Sequence, residues 1–246
     1  MKEEILISSK MVFRNQISFK NITFGFDDKK ILKNVSFEIR KGEFVGIKGK
    51  TGAGKSTLLY IIAGLFIPQE GDILIDGLKL TEDQIVAYRK LIGFLPQQPF
   101  ILNASLRENI VFGRPFDKDK YLKVIRQAGL QEFIEKPDYM ERYILEGGKN
   151  LSGGERQRIH LARVLYGDHE IYVFDEPTSN VDLKTEKIIY NTLIDLIKNG
   201  KTVVVCSHKN TLLKGADKIV ELENGMIKHI KIGGKEDEYI EKYDKP

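Results

Sequence analysis

Alternating apolar and polar positions open the chain. From Gln16 to Phe24 the apolar members are Ile17, Phe19, Ile22 and Phe24, and Val35-Ser-Phe-Glu-Ile39 alternates strictly. This is the period of half-buried strands, and the polar segment Asp27-Asp-Lys-Lys between them reads as a turn. Shorter apolar runs follow at Glu43–Ile47, Ile73–Ile75, Ile92–Leu95, Ile171–Phe174 and Val203–Cys206, with a last pair near 218–229. Between several of these runs the apolar spacing becomes helical, at Thr57–Gly64, Lys118–Gly129, Gln131–Lys136, Gly153–Tyr166 and Leu183–Lys198. Gly167 and Gly200 stop the last two.

Strands that alternate with helices predict an α/β fold whose mainly parallel sheet is covered on both faces. The strand-rich start adds an N-terminal antiparallel β subdomain, and the helical, polar stretch after Gln97 reads as an inserted α-helical subdomain. The expected organisation is an extension or linker at 1–15, a core built from 16–96 and 151–232, the helical subdomain at 97–150 and a charged tail at 233–246.

Composition changes this picture little. The chain has 246 residues, enough to bury a sizeable core, and its 41% hydrophobic and 30% charged content is that of a soluble globular protein. A net charge of +4, from 39 basic and 35 acidic residues, is a small difference between large numbers and gives no footing for a nucleic-acid partner. The single cysteine, Cys206, excludes an internal disulfide, and its apolar run makes it a buried strand residue in a reducing compartment. The longest apolar candidate for a membrane span, Leu58–Ile67, is too short and contains Gly64. The start lacks a signal-peptide pattern, so the chain is expected to be soluble when isolated.

The chemistry begins at Gly49-Lys50-Thr51-Gly52-Ala53-Gly54-Lys55-Ser56. This spacing is that of a phosphate loop, and it has the required strand before and helix after. Glycines let backbone N–H groups turn inward, and the following helix adds its partial positive end. Lys55 is placed for the β- and γ-phosphates of ATP, Ser56 for Mg²⁺, and Thr57 for the α-phosphate. The apolar run ending in Asp175-Glu176 supplies the complement, with Asp175 for Mg²⁺ and Glu176 as general base for the attacking water. A second candidate phosphate-binding helix end lies at Leu151-Ser152-Gly153-Gly154-Glu155, where Ser152 is a good N-cap. His160, His169 and His229 have no Cys or carboxylate at ligand spacing and read as structural or solvated.

With this last motif the sequence resembles the nucleotide-binding domain of ATP-binding cassette (ABC) transporters over nearly its whole length. Leu151–Glu155 matches the family's signature. Phe26, in Ile22-Thr-Phe-Gly-Phe26, stands where an aromatic stacks on adenine. Leu95-Pro-Gln97 matches the glutamine loop, making Gln97 rather than Gln98 the Mg²⁺ and coupling residue. Ser179-Asn-Val-Asp182 is similar to the loop that crosses to a partner, and Val205-Cys-Ser-His208 to the switch histidine on the γ-phosphate. The stretch from Gln97 to Ile110 and Glu146-Gly-Gly-Lys-Asn150 resemble exporters in particular, Glu146 matching a contact to the membrane domain of the opposite half.

The resemblance implies a Mg-ATP hydrolase that pairs head to tail with a second nucleotide-binding domain, identical or different. Ser152 and Gly153 of each signature would cap the γ-phosphate held by the other chain's loop. It also implies a transmembrane-domain partner and a place on the cytoplasmic side of a membrane. Departures are Phe26 for the commoner Tyr, Leu145 for Gly, and Asn180-Val181 for Ala-Leu; none removes a catalytic group. Alternative readings are a separate ATPase subunit of another ABC class and a non-transport ABC ATPase. The latter carries long coiled-coil insertions or tandem cassettes. A phosphate-loop kinase would have no use for the signature or for His208.

Overall fold

The computed structural model describes residues 11–134 and 143–233. Its first unit is a four-stranded antiparallel sheet in the order β2-β1-β4-β5. Here β1 is Gln16–Phe26, β2 Lys29–Arg40, β4 Glu70–Ile75 and β5 Leu78–Lys79. Asp27 and Asp28 alone make the β1–β2 turn, because Gly25 and Phe26 pair with Lys30 and Lys29 and draw both lysines into the strand. Residues 11–15, expected as part of a linker, are packed against this sheet. Phe13 is buried, and the backbone N–H groups of Arg14, Asn15 and Gln16 all donate to the Asp76 carboxylate, holding its pKa below the usual carboxylate range.

The second unit is a six-stranded sheet, β12-β11-β3-β10-β9-β6. Its members are β3 Phe44–Gly49, β6 Ile92–Leu95, β9 Ile171–Asp175, β10 Thr202–Cys206, β11 Lys218–Glu223 and β12 Met226–Ile232. All neighbours pair in parallel except β11 with β12. Strands β9 and β10 are buried at every position, as continuous apolar runs in a doubly covered sheet should be. Alternation then divides their side chains between two cores. Tyr172, Phe174, Val203 and Val205 enter one, which continues into the helices; Ile171, Val173, Val204 and Cys206 enter the other, beneath the antiparallel sheet.

Helix α1, Lys55–Ile62, begins two residues earlier than its apolar spacing indicates, because the helix starts at the last loop glycine. Helices α6, Gly153–Tyr166, and α7, Leu183–Lys198, have the bounds read from the sequence. The segment after Gln97 holds α3 Leu106–Val111, α4 Lys118–Gln127 and α5 Gln131–Ile134, with a two-stranded pair of β7 Ala104–Ser105 and β8 Tyr143–Ile144. The expected helix over Gln131–Lys136 is described only to Ile134, and most of the predicted tail lies outside the described residues. The short α2, Ile85–Lys90, was not read from the sequence.

Buried Arg163 ties α6 to the inserted segment. Its guanidinium donates to the backbone oxygens of Asn109 (2.6 Å) and Phe100 (2.7 Å) and to Asn109 Oδ1 (3.0 Å), and it lies 4.5 Å from the Phe112 ring centre. A planar fork of donors can serve several acceptors at once. No helix among the described residues is long and apolar enough to cross a membrane.

Candidate functional site

Strand β3 ends where the chain must turn sharply into α1. Gly54, the residue before the helix, has φ +95°, and a Cβ there would come within 2.9 Å of the Leu32 side chain. A glycine therefore satisfies both the backbone and the packing. Helix α1 has no side-chain cap and no acid in its first turn, so its N-terminal N–H groups and its positive dipole end are left facing the loop. Lys55 folds back over the loop and donates to the carbonyls of Gly49 (3.0 Å) and Lys50 (3.1 Å) while 8% exposed. The ammonium is thus held at the centre of the loop with little freedom to lose on meeting an anion.

Behind the loop stands Asp175, at the end of β9 and 1% exposed. Burial raises its pKa, while hydrogen bonds from Ser56 and Cys206 and the Lys55 charge lower it. Its Oδ1 has no hydrogen-bond partner. An orphaned buried carboxylate oxygen beside a serine hydroxyl, next to a loop built for phosphate, fits a hard divalent cation of the Mg²⁺ class. Among the described residues no cluster of three His, Cys, Asp or Glu could hold a metal unaided. That is the expected donor set where phosphate and water supply the remaining ligands.

Glu176 follows in a left-handed conformation, φ 45°. Such a backbone costs on the order of 1–3 kcal/mol and persists only when its surroundings fix it. They do: its N–H donates to Cys206 O (3.0 Å), and its carbonyl accepts from the N–H (3.0 Å) and hydroxyl (2.9 Å) of Ser179. The turn aims the half-buried carboxylate at His208, whose Nε2 lies 3.4 Å from Oε1. The histidine loop is clasped in turn by its neighbour Lys209, which reaches Glu186 Oε2 on α7 (2.6 Å) and Thr178 O (3.4 Å).

Thr51, Gly52, Gly54, Lys55, Ser56, Thr57, Gln97, Glu176, Ser179 and His208 line one open cavity of about 830 Å³. Gln97 lies on its wall and Gln98 does not. Of the remaining loop residues, Gly49 and Lys50 contribute the carbonyls that hold Lys55, and Ala53 is buried beneath the loop.

The sequence reading missed the opposite wall. Lys29, Lys30, Ile31 and Lys33 of β2 and Asn224-Gly225 of the β11–β12 hairpin close it. The hairpin is pinned there by a bond from Lys33 N to Gly225 O (2.8 Å). These residues are remote in sequence and form no motif; only pairing brings them together. Phe26 is not on the cavity wall. It sits at the end of β1, 51% exposed, edge-on to Phe24 and Phe66 at 5.2 and 5.7 Å.

The signature residues lie elsewhere too. Ser152 caps α6, accepting from Glu155 N (3.2 Å) while Glu155 returns a carboxylate to Ser152 N (2.7 Å). Asp182 caps α7 in the same way, accepting from Thr185 N (2.8 Å) and Thr185 Oγ1 (3.0 Å). The two helix starts touch: a Cβ on Gly154 would stand 2.6 Å from Asp182 Oδ2 and 2.7 Å from Thr185 Oγ1. Ser152, Gly153, Gly154 and Asp182 are absent from the wall of the cavity.

The family model described as ABC transporter matches residues 32–179. The leukotoxin translocation ATP-binding protein LktB of Pasteurella haemolytica-like sp. (strain 5943B) is 40% identical over 220 residues, which are 87% of this chain and 31% of that protein. The protein of the same name from Mannheimia haemolytica is 39% identical over 218 residues, with the same shares. A bacterial Atm1-family ABC exporter with ATP bound superposes with a TM-score of 0.84 at 30% identity, covering 93% of this chain and 40% of that one. The chain thus spans about a third of the length of the curated relatives it matches. It belongs to the ABC transporter family.

Proposed function

We propose that this domain supplies half of each of two Mg-ATP sites in a head-to-tail pair, and that cycles of pairing and hydrolysis drive export through a membrane partner. The observation that carries this reading is a separation. The phosphate loop, Glu176, Gln97 and His208 share one cavity with Asp175 buried behind the loop, while the exposed, capped signature start at Ser152 is not on its wall. A second copy, or a different cassette, would bring its own Ser152 and Gly153 to the open side.

In this reading Lys55 and the N–H groups of α1 bind the β- and γ-phosphates, and Phe26 and Ile31 receive the base. Ser56, Asp175 and Gln97 would hold Mg²⁺, which would supply electrostatic stabilisation of the phosphate charge. Glu176 takes the proton of the attacking water, and His208 steadies Glu176 and the γ-phosphate. Asp182 holds the start of α7 and meets the partner chain.

The membrane partner is expected on a groove of about 840 Å³ beside α6. Phe94, Phe100 and Phe112 line it together with Arg114 and Arg163, and among the described residues no acidic side chain is on its wall. An aromatic, cationic groove on a domain with no spanning helix among its described residues suits a protein segment from a membrane domain. That attachment would place the chain on the cytoplasmic side, where ATP is supplied.

Glu176→Gln tests the pairing. Removing the base while keeping every phosphate ligand should let the domain bind Mg-ATP and remain paired, so light scattering with size exclusion should read a dimer with ATP and a monomer without. A monomer in saturating Mg-ATP would count against the head-to-tail site.

A further inference from the structure

The only cysteine of the chain stands directly behind the two acids of the site. Cys206 ends β10 and pairs in register with Asp175, the last residue of β9. Its Sγ lies 4.0 Å from Glu176 Oε1, the same oxygen that faces His208 Nε2 at 3.4 Å, and is also within hydrogen-bond reach of the Asp175 carboxylate, the competing acceptor. Its carbonyl accepts the N–H of Glu176 at 3.0 Å, so one residue holds both the backbone and a carboxylate oxygen of Glu176. The side chain is fully buried, leaving the thiol no solvent partner. A buried thiol within reach of a carboxylate oxygen is a weak hydrogen-bond donor.

We propose that Cys206 is a positioning residue for ATP hydrolysis, its S–H donating to the Glu176 carboxylate and keeping Oε1 turned toward His208. The proposal rests on Glu176 acting as general base, as argued above. The other contact of this carboxylate oxygen, His208 Nε2 at 3.4 Å, belongs to an exposed side chain. In the absence of the donor the carboxylate is free to swing from the line of the attacking water, and displacements of this kind are felt in the rate rather than in nucleotide affinity.

Because the chain has one cysteine, its S–H stretching band is an unambiguous infrared probe in the nucleotide-free protein. Wild type should show a band lowered by hydrogen bonding to a charged acceptor, and Glu176→Gln should move it up. A band unmoved by that change would mean the thiol serves Asp175 instead, and would overturn the proposal.

Turnover gives the second arm. Cys206→Val keeps the packing and removes the donor; it should lower kcat about 5- to 10-fold with the ATP Kd within twofold. Cys206→Ser should recover at least half of the rate. Full turnover in Cys206→Val, with Glu176→Gln inactive, would sink this inference and leave the reading of Glu176 standing. Full turnover in Glu176→Gln would sink that reading instead.

Discussion

His208 Nε2 and Glu176 Oε1 lie 3.4 Å apart across the mouth of the phosphate cavity, with the imidazole 55% exposed and the carboxylate 15% exposed. The buried partner is fixed by its backbone turn, whereas the exposed one is held mainly through the clasp of Lys209 on α7. His208→Ala should therefore leave the fold and ATP affinity nearly unchanged and lower kcat on the order of 100-fold, the scale of a lost electrostatic contact to the reacting group. Steady-state phosphate release alongside calorimetric ATP binding checks this. A parallel loss of affinity would place the histidine's main contact in the ground state.

Lys55 is a different case, because its two bonds to loop carbonyls exist before any nucleotide arrives. Its removal takes away the one ammonium at the centre of the loop and a restraint on the loop itself. Lys55→Ala is expected to abolish measurable ATP binding by calorimetry. The melting temperature should change little, because the loop is surface-exposed at Thr51 and Gly52. Undiminished binding would remove Lys55 from the phosphate site.

What the sequence made legible follows from the range of the interactions involved. Helices α6 and α7 announced their own bounds, because Ser152 and Asp182 are local caps and the apolar faces repeat along each helix. The phosphate loop and the Asp175-Glu176 strand end were readable for the same reason, their chemistry being written in contiguous residues. The opposite wall of the cavity was not. Ile31 and Gly225 meet only because β11–β12 folds back onto β2, a relation with no trace in local spacing. Helix α2 escaped because its buried residues, Ala87 and Tyr88, give no recurring face over so few turns. Residues 11–15 read as unpatterned because what fixes them is a distant acid, Asp76, rather than their own alternation.

Phe26 offers a flat ring at the end of β1, held edge-on by Phe24 and Phe66. Its exposure means that truncation removes little core packing, so Phe26→Ala should retain its melting temperature within a few degrees. If the adenine ring stacks there, ATP affinity should fall about 10-fold, the equivalent of roughly 1.4 kcal/mol and within the range of aromatic stacking. Triphosphate alone should bind both proteins equally. Unchanged ATP affinity would shift the base to Ile31 and the β2 wall.

The last prediction concerns acid stability. His160 lies within α6, and burial together with the nearby Arg163 charge lowers its pKa to about 3. In the unfolded chain it titrates near 6.5. Between these values the unfolded state binds a proton that the folded state refuses, so this group favours unfolding increasingly as pH falls below about 6.5. The slope is at most about 1.4 kcal/mol per pH unit, flattening only near the folded value. Above pH 7 the effect vanishes. Replacing His160 with Leu removes the proton linkage while keeping an apolar filling, so urea midpoints of the variant should decline less steeply than wild type from pH 6.5 to 4.5. Near pH 7.5 the two curves should be separated only by the packing difference. Parallel curves across the whole range would show that His160 is not held neutral by the fold, and would move the acid sensitivity to the carboxylates whose pKa is lowered on folding, Asp76 and Asp168 among them.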